Sequence, residues 1–191
     1  RGDEPWEKDY VGRPSIASQR DQMERGVDVM GILAATNGIE VFGIEFYRRF
    51  SECAREEKGA ALLRGLGRDE EQHKEHVERE MRRISPGIDP ADVEPARTLV
   101  GVVPEEAFPF PPDRCLRLED EIRALEIGIQ VEVRSTQMYR RASQLVDDPQ
   151  VKALLERLAS IEDGHRRLLE ENMYLLRNEG AWYGYSPILE G

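Results

Sequence analysis

Apolar residues recur every three or four positions in long stretches of the chain, the period of helices with one buried face. From Asp28, a good N-cap residue, the chain runs without proline to Lys58 and meets Gly59, so a first helix is expected over 28–58. A second is expected over 60–84 and a third over 116–146. The fourth opens at Asp148-Pro149, a capping residue followed by proline at the first helical position, and closes near Gly180. Residues 1–27 hold Pro5, Gly12 and Pro14 with only a weak stripe after Ser18, and are read as an N-terminal arm. Residues 85–114 contain seven of the eleven prolines, including FPFPP at 108–112, which excludes a long helix there. Thirty extended residues reach on the order of 100 Å, against about 40 Å for a 25-residue helix, so this segment can cross over along the whole length of a bundle. The remaining stretch, AWYGYSPILEG at 181–191, is an aromatic tail expected to pack on the bundle or on a partner.

Charged residues interrupt these stripes at particular places. The buried face of the second helix reads Leu63, Leu66, Glu70, His73, Val77, Met81, and that of the fourth reads Val151, Leu155, Leu158, Glu162, His165, Leu169. In the first helix Glu40 falls between Thr36 and Gly43, Tyr47 and Phe50. In the third Glu132 falls between Leu125, Ile129 and Thr136, Tyr139. Burying an unpaired carboxylate costs several kcal/mol, so a stripe that accepts one normally supplies a compensating partner such as a metal ion.

The interruptions repeat. Adding 92 to Glu40, Tyr47, Glu70 and His73 gives Glu132, Tyr139, Glu162 and His165, with all four identities kept. Two homologous helical hairpins are implied, and with them an all-α four-helix bundle joined by the Pro-rich crossover. One Glu-x-x-His is weak evidence in a chain this rich in glutamate. Two at a matched offset, each preceded by Glu-x6-Tyr, are strong. Residues at i and i+3 project a carboxylate and an imidazole from one helix face, and lone glutamates from two other helices complete a pair of metal sites. Four carboxylates carry a charge that two divalent ions cancel. Oxygen-rich ligation with one imidazole per ion suits iron, with manganese possible at one or both positions. Tyr47 and Tyr139 fit core packing and a role at the site equally well, since side chains leaning toward the helix N-terminus bring both hydroxyls near the carboxylate layer. His76 has no counterpart, position 168 being Leu168, and is read as an ordinary surface residue. Glu45, Glu71, Glu126 and Asp163 are read as solvated.

Composition narrows the partners. A net charge of −11 repels nucleic-acid backbones and anionic membranes alike. Cys53 and Cys115 form no CxxC pair and are read as small buried residues, so no thiolate metal site is signalled. No unbroken run of eighteen apolar residues is present, and no membrane span is expected. Cytoplasmic location is the default expectation.

Glu40-x-x-Gly43-x-x-Phe46-Tyr47 with Glu70-x-x-His73, followed by Glu132-x-x-Ser135-x-x-Met138-Tyr139 with Glu162-x-x-His165, resembles the rubrerythrin branch of the ferritin-like superfamily over residues 28–178. That resemblance implies a ferritin-like bundle with a di-iron centre, a homodimeric assembly and reduction of hydrogen peroxide. It also carries ligand roles onto Glu40, Glu70, His73, Glu132, Glu162 and His165. Tyr47 and Tyr139 look like the family's tyrosines behind the ligands. Two departures stand out. The four cysteines of a rubredoxin domain are absent, so electrons must come from an external donor. An additional third-helix glutamate of the family also has no counterpart, the nearby stripe positions being Ile129 and Ser135. The leading expectation is a di-iron oxidoreductase acting on peroxide or dioxygen, with Tyr47 and Tyr139 limiting radical escape. The alternatives are oxidation, binding or storage of iron, and a non-enzymatic scaffold that keeps a vestigial site.

Overall fold

The computed structural model describes residues 16–96 and 117–184, with side chains from Val29 onward. Four helices dominate it: α1 (Ile16–Cys53), α2 (Glu57–Ile84), α3 (Leu118–Leu145) and α4 (Pro149–Glu179), with a 3₁₀ turn at Pro90–Asp92. Among the described residues there is no strand.

Helix α1 starts at Ile16, twelve residues before the expected Asp28. No proline and only Gly26 interrupt residues 16–28, and a residue suited to capping does not cap when helical backbone continues behind it. Gly59 likewise does not stop a helix. The chain turns at 54–56 and α2 is already under way at Gly59, where a Cβ would lie 2.6 Å from Cε2 of Trp182. Glycine is required there by the close approach of an indole. The turn is held from α3: the backbone N–H of Arg55 donates to Glu121 Oε1 at 2.8 Å, and its Nε donates to Oε2 at 3.1 Å. The fourth helix begins and ends as its sequence predicts. Asp148 accepts from the N–H groups of Gln150 and Val151, Pro149 takes the first helical position, and Gly180 closes the helix with a φ of 68°.

Helix α1 packs mainly on α2, and α3 on α4, as two antiparallel hairpins whose mutual approach is wider. Long side chains fill the space between them. One apolar cluster gathers Ile32, Leu33, Met81, Met138, Leu155 and Leu158, and another gathers Phe46, Leu62, Leu66, Leu125, Leu169 and Trp182. Each fully buried leucine contributes about 1.5–3 kcal/mol relative to exposure. The polar residues of the repeat lie between the two clusters. Within α1, Val29–Cys53 is by length and composition apolar enough to cross a membrane, which a search for unbroken apolar runs misses because charges interrupt it. More than half of its most apolar stretch is buried against the rest of the bundle.

After α2 the chain reaches back to α1, where the N–H of Ala96 donates to the Gly31 carbonyl at 2.9 Å. Most of the Pro-rich crossover, Cys115, the first fifteen residues and the tail beyond Gly184 lie outside the described residues. The described start of the tail does pack on the bundle. Asn172 donates to the carbonyls of Leu168 and Gly184 and accepts from the N–H groups of Tyr183 and Gly184, while Trp182 packs edge-on against Phe50.

Candidate metal centre

Each helix delivers one part of the repeat to the mid-bundle layer. Glu40 comes from α1, Glu70 and His73 from α2, Glu132 from α3, and Glu162 and His165 from α4. All six are buried, with 3% or less of their surface exposed. Nδ1 of His73 lies 3.4 Å from Glu40, 3.2 Å from Glu70 and 3.3 Å from Glu162. Nδ1 of His165 lies 3.4 Å from Glu70 and 2.9 Å from Glu162. The two imidazoles are roughly parallel, with centroids 5.7 Å apart.

Two overlapping groups result. Glu40, Glu70, His73 and Glu162 bring their ligand atoms within 4.8 Å of one another, and so do Glu70, Glu132, Glu162 and His165. Glu70 and Glu162 are common to both. Neighbouring residues make room: Gly43 lies against Glu70, where a Cβ would sit 3.0 Å from Cγ. The tyrosines cross between hairpins, Tyr47 donating to Glu132 and Tyr139 donating to Glu40. His76 is half-buried and outside these groups. Glu45 pairs with Arg48 and Arg49, Glu126 with Arg177, and Asp163 with Arg166 and Arg167, while Glu71 is exposed.

Without metal, the layer is divided electrostatically. Burial pushes the carboxyl of Glu40 well above its ordinary range, with the charges of Glu70 and Glu162 adding to the effect. Burial does the same to Glu132, again reinforced by Glu162 and Glu70. Burial also opposes ionisation of Glu70, yet hydrogen bonds from His165 and His73 more than offset it and hold that carboxyl low. Glu162 is lowered for the same reason, against burial and the charge of Glu70. Burial disfavours the charged form of both histidines, but their carboxylate partners raise His73 and His165 well above the usual value. Burial raises both tyrosines, helped by Glu132 at Tyr47 and by Glu40 at Tyr139. The four buried carboxylates therefore divide into two pairs, Glu40 and Glu132 raised, Glu70 and Glu162 lowered. The lowered pair has histidines to share.

The donor set fits a pair of metal ions. Oε2 of Glu40 and Oε1 of Glu162 are buried and share one neighbour, Nδ1 of His73, which is already bonded to Glu70, so neither has a well-formed hydrogen bond of its own. Buried acceptors of that kind are rare without a compensating ion or water. A small cavity of about 10 Å³, measured to the centre of a water-sized sphere, leads between α1 and α3 past Phe42, Gly43 and Ser135 to Glu70, Glu132 and Glu162. One neighbour escaped sequence reasoning altogether: Asp69 Oδ2 lies 3.3 Å from Nε2 of His165. The repeat could not reveal it, since adding 92 to 69 gives Ile161.

A four-helix bundle that buries four glutamates and two histidines in its centre defines the ferritin-like class of metal-binding proteins. The rubrerythrin family model matches residues 32–173, and the chain belongs to that family. A hypothetical protein from Pyrococcus furiosus, Pfu-1136390-001, shares the fold with a TM-score of 0.67 at 21% identity, over 78% of this chain and 90% of that one. No curated protein matches the chain.

Proposed function

We propose that the chain is a di-iron carboxylate oxidoreductase acting on hydrogen peroxide or dioxygen, with an external donor supplying electrons. The observation that carries this reading is the pair of buried four-ligand groups sharing Glu70 and Glu162. Iron held there would supply one-electron redox chemistry among ligands almost wholly withdrawn from water. Glu70 and Glu162 would bridge, Glu40 and Glu132 would each hold one ion, and Nδ1 of His73 and His165 would complete the set. Tyr47 and Tyr139 fix the terminal carboxylates by donating to them. Because burial and the nearby carboxylates raise both phenols, they keep their protons, and their rings belong to the apolar clusters on either side of the site. The cavity between α1 and α3 has room for a molecule the size of water, which suits peroxide or dioxygen.

Metal analysis of protein from unsupplemented cells, with anaerobic spectra before and after peroxide, tests the proposal. Two iron ions per chain and a spectral change completed within seconds of peroxide addition are expected. Protein that retains no metal after anaerobic loading would point to a vestigial site instead.

A second reading, oxidation and binding of iron for storage, draws on the third helix. Position 129 is isoleucine and position 135 is serine, so at those positions α3 adds no carboxylate to Glu132. Storage needs a closed shell of subunits, and a solution mass of two or four chains would count against it.

A further inference from the structure

The two halves of the centre match at every ligand but not behind the ligands. Asp69, one residue before Glu70 on α2, reaches across to α4, where its Oδ2 lies 3.3 Å from Nε2 of His165. That nitrogen is buried and makes no hydrogen bond to another described residue, which leaves the Asp69 carboxylate as the acceptor within reach of it. The pseudo-equivalent residue, one before Glu162 on α4, is Ile161. It is buried and offers no acceptor to His73. Among the described residues, every carboxylate contact of His73 is made through Nδ1, the atom that faces the centre.

A histidine that ligates through Nδ1 must carry its proton on Nε2. A carboxylate facing that N–H fixes the tautomer, orients the ring and makes the ligating nitrogen a stronger donor. His165 has such a neighbour and His73 does not. We propose that Asp69 is a positioning residue that makes the two metal positions unequal: the position held by Glu132 and His165 binds more tightly and fills first, and the position held by Glu40 and His73 fills second. This rests on the reading of the cluster as a two-metal centre. Unequal positions suit a centre that keeps one ion while the other exchanges, and the inequality is set by one aspartate rather than by a different ligand set.

The chain has only three histidines, His73, His76 and His165, so their ring signals can be followed individually. Metal-free full-length protein with labelled histidine is titrated with zinc, a diamagnetic probe, and followed by NMR and calorimetry. In the wild type the His165 signals should move with the first equivalent and the His73 signals with the second. Asp69→Asn should weaken the first step by roughly 10- to 100-fold, the usual cost of losing a group behind a metal ligand, and bring the two responses together. Asp69→Glu, which keeps the charge, should restore the order at least in part. Helical content and zinc capacity, followed alongside, separate loss of order from loss of fold. Simultaneous movement of both rings in the wild type, His73 moving first, or an unchanged first step in Asp69→Asn would each overturn the inference while leaving the two-metal reading intact. A wild type that takes up no zinc, or one ion only, would overturn that reading and the inference with it.

Discussion

Tyr47 on α1 donates a buried hydrogen bond to Glu132 on α3, joining one hairpin to the other at the level of the centre. Tyr139 returns the arrangement by donating to Glu40. Phenylalanine at either position keeps the ring packed and removes only the hydroxyl, which leaves a buried carboxyl without its donor. Each of Tyr47→Phe and Tyr139→Phe should therefore cost about 1–3 kcal/mol in the metal-free protein, and by similar amounts. Urea unfolding measures it. Unchanged midpoints would mean that the rings alone account for these residues.

The electrostatics of the metal-free layer give stability a particular dependence on pH. Glu40, Glu132, His73 and His165 all have raised pKa values in the fold, so the folded state binds more protons than the unfolded one, and stability falls as pH rises through the raised values. Glu70 and Glu162 are lowered, so their contribution is lost as pH falls below the ordinary glutamate range. The melting temperature of metal-free protein should be highest in mild acid and decline as pH rises beyond the ordinary glutamate and histidine ranges. Bound metal should reverse that decline, because the ligating forms are the deprotonated ones and binding releases protons. A metal-free protein that melts higher at pH 8 than at pH 5 would contradict the assignment.

Gly59 and Trp182 make the sharpest steric prediction. A Cβ at position 59 would lie 2.6 Å from Cε2 and 2.7 Å from Cδ2 of the indole, too close for either atom. Gly59→Ala should destabilise by roughly 1–3 kcal/mol through overpacking, and Trp182→Ala by about 3–5 kcal/mol through the cavity it leaves. The double variant should cost clearly less than the sum, since removing the indole removes the clash. Additive losses would show that the tail is not seated on α2.

Much of this could be read from the chain itself. The four helices, the Asp148-Pro149 start and the Gly180 end follow from local chemistry that packing does not override. The cluster was legible because a repeat offset of 92 places the same four residue types on two stripes. What escaped was of two kinds. Gly59 has the residue type of a helix stop, but its reason for being glycine is an indole more than 120 residues away, which no local pattern encodes. Asp69 sits next to a ligand in sequence yet acts across the bundle, and as the partner position is Ile161 the repeat argued against it. The start of α1 was missed because residues 16–27 carry too weak a stripe to declare a helix that nothing in the sequence stops.

Glu70 and Glu162 belong to both ligand groups, so removing either should empty the whole centre rather than half of it. Glu70→Ala and Glu162→Ala are expected to lose the metal pair to nearly the same extent, as judged by elemental analysis after loading. In the wild type the two ions should lie about 3.5–4 Å apart, the spacing of two-metal sites, as X-ray absorption can measure. Glu71→Ala and His76→Ala, outside the cluster, should keep both ions. Retention of one ion in either bridging variant would show that its carboxylate serves a single position.

Restoring a third-helix carboxylate separates the peroxide reading from the storage reading. The sequence offers Ile129 and Ser135 as candidates, and the structure distinguishes them. Ile129 packs partly buried against the cluster of Phe46, Leu125 and Trp182, where a glutamate would lose that apolar contact and turn its carboxylate toward water rather than toward the centre. Ser135 is one helical turn beyond Glu132 and lines the cavity that leads to Glu70, Glu132 and Glu162. Its hydroxyl donates to the carbonyl of Val131 within the same helix at 2.9 Å. Ser135 is itself buried, so Ser135→Glu places a new carboxylate beside the ligands, where bound metal would offset the burial of its charge. If the site works on peroxide, this variant should turn peroxide over faster than wild type by roughly tenfold, the gain from about 1.4 kcal/mol at the transition state. Ile129→Glu should chiefly lower the melting temperature. An unchanged rate in a Ser135→Glu protein that still binds its metal pair would move the assignment toward iron handling, because a site limited by the missing carboxylate must respond to its return.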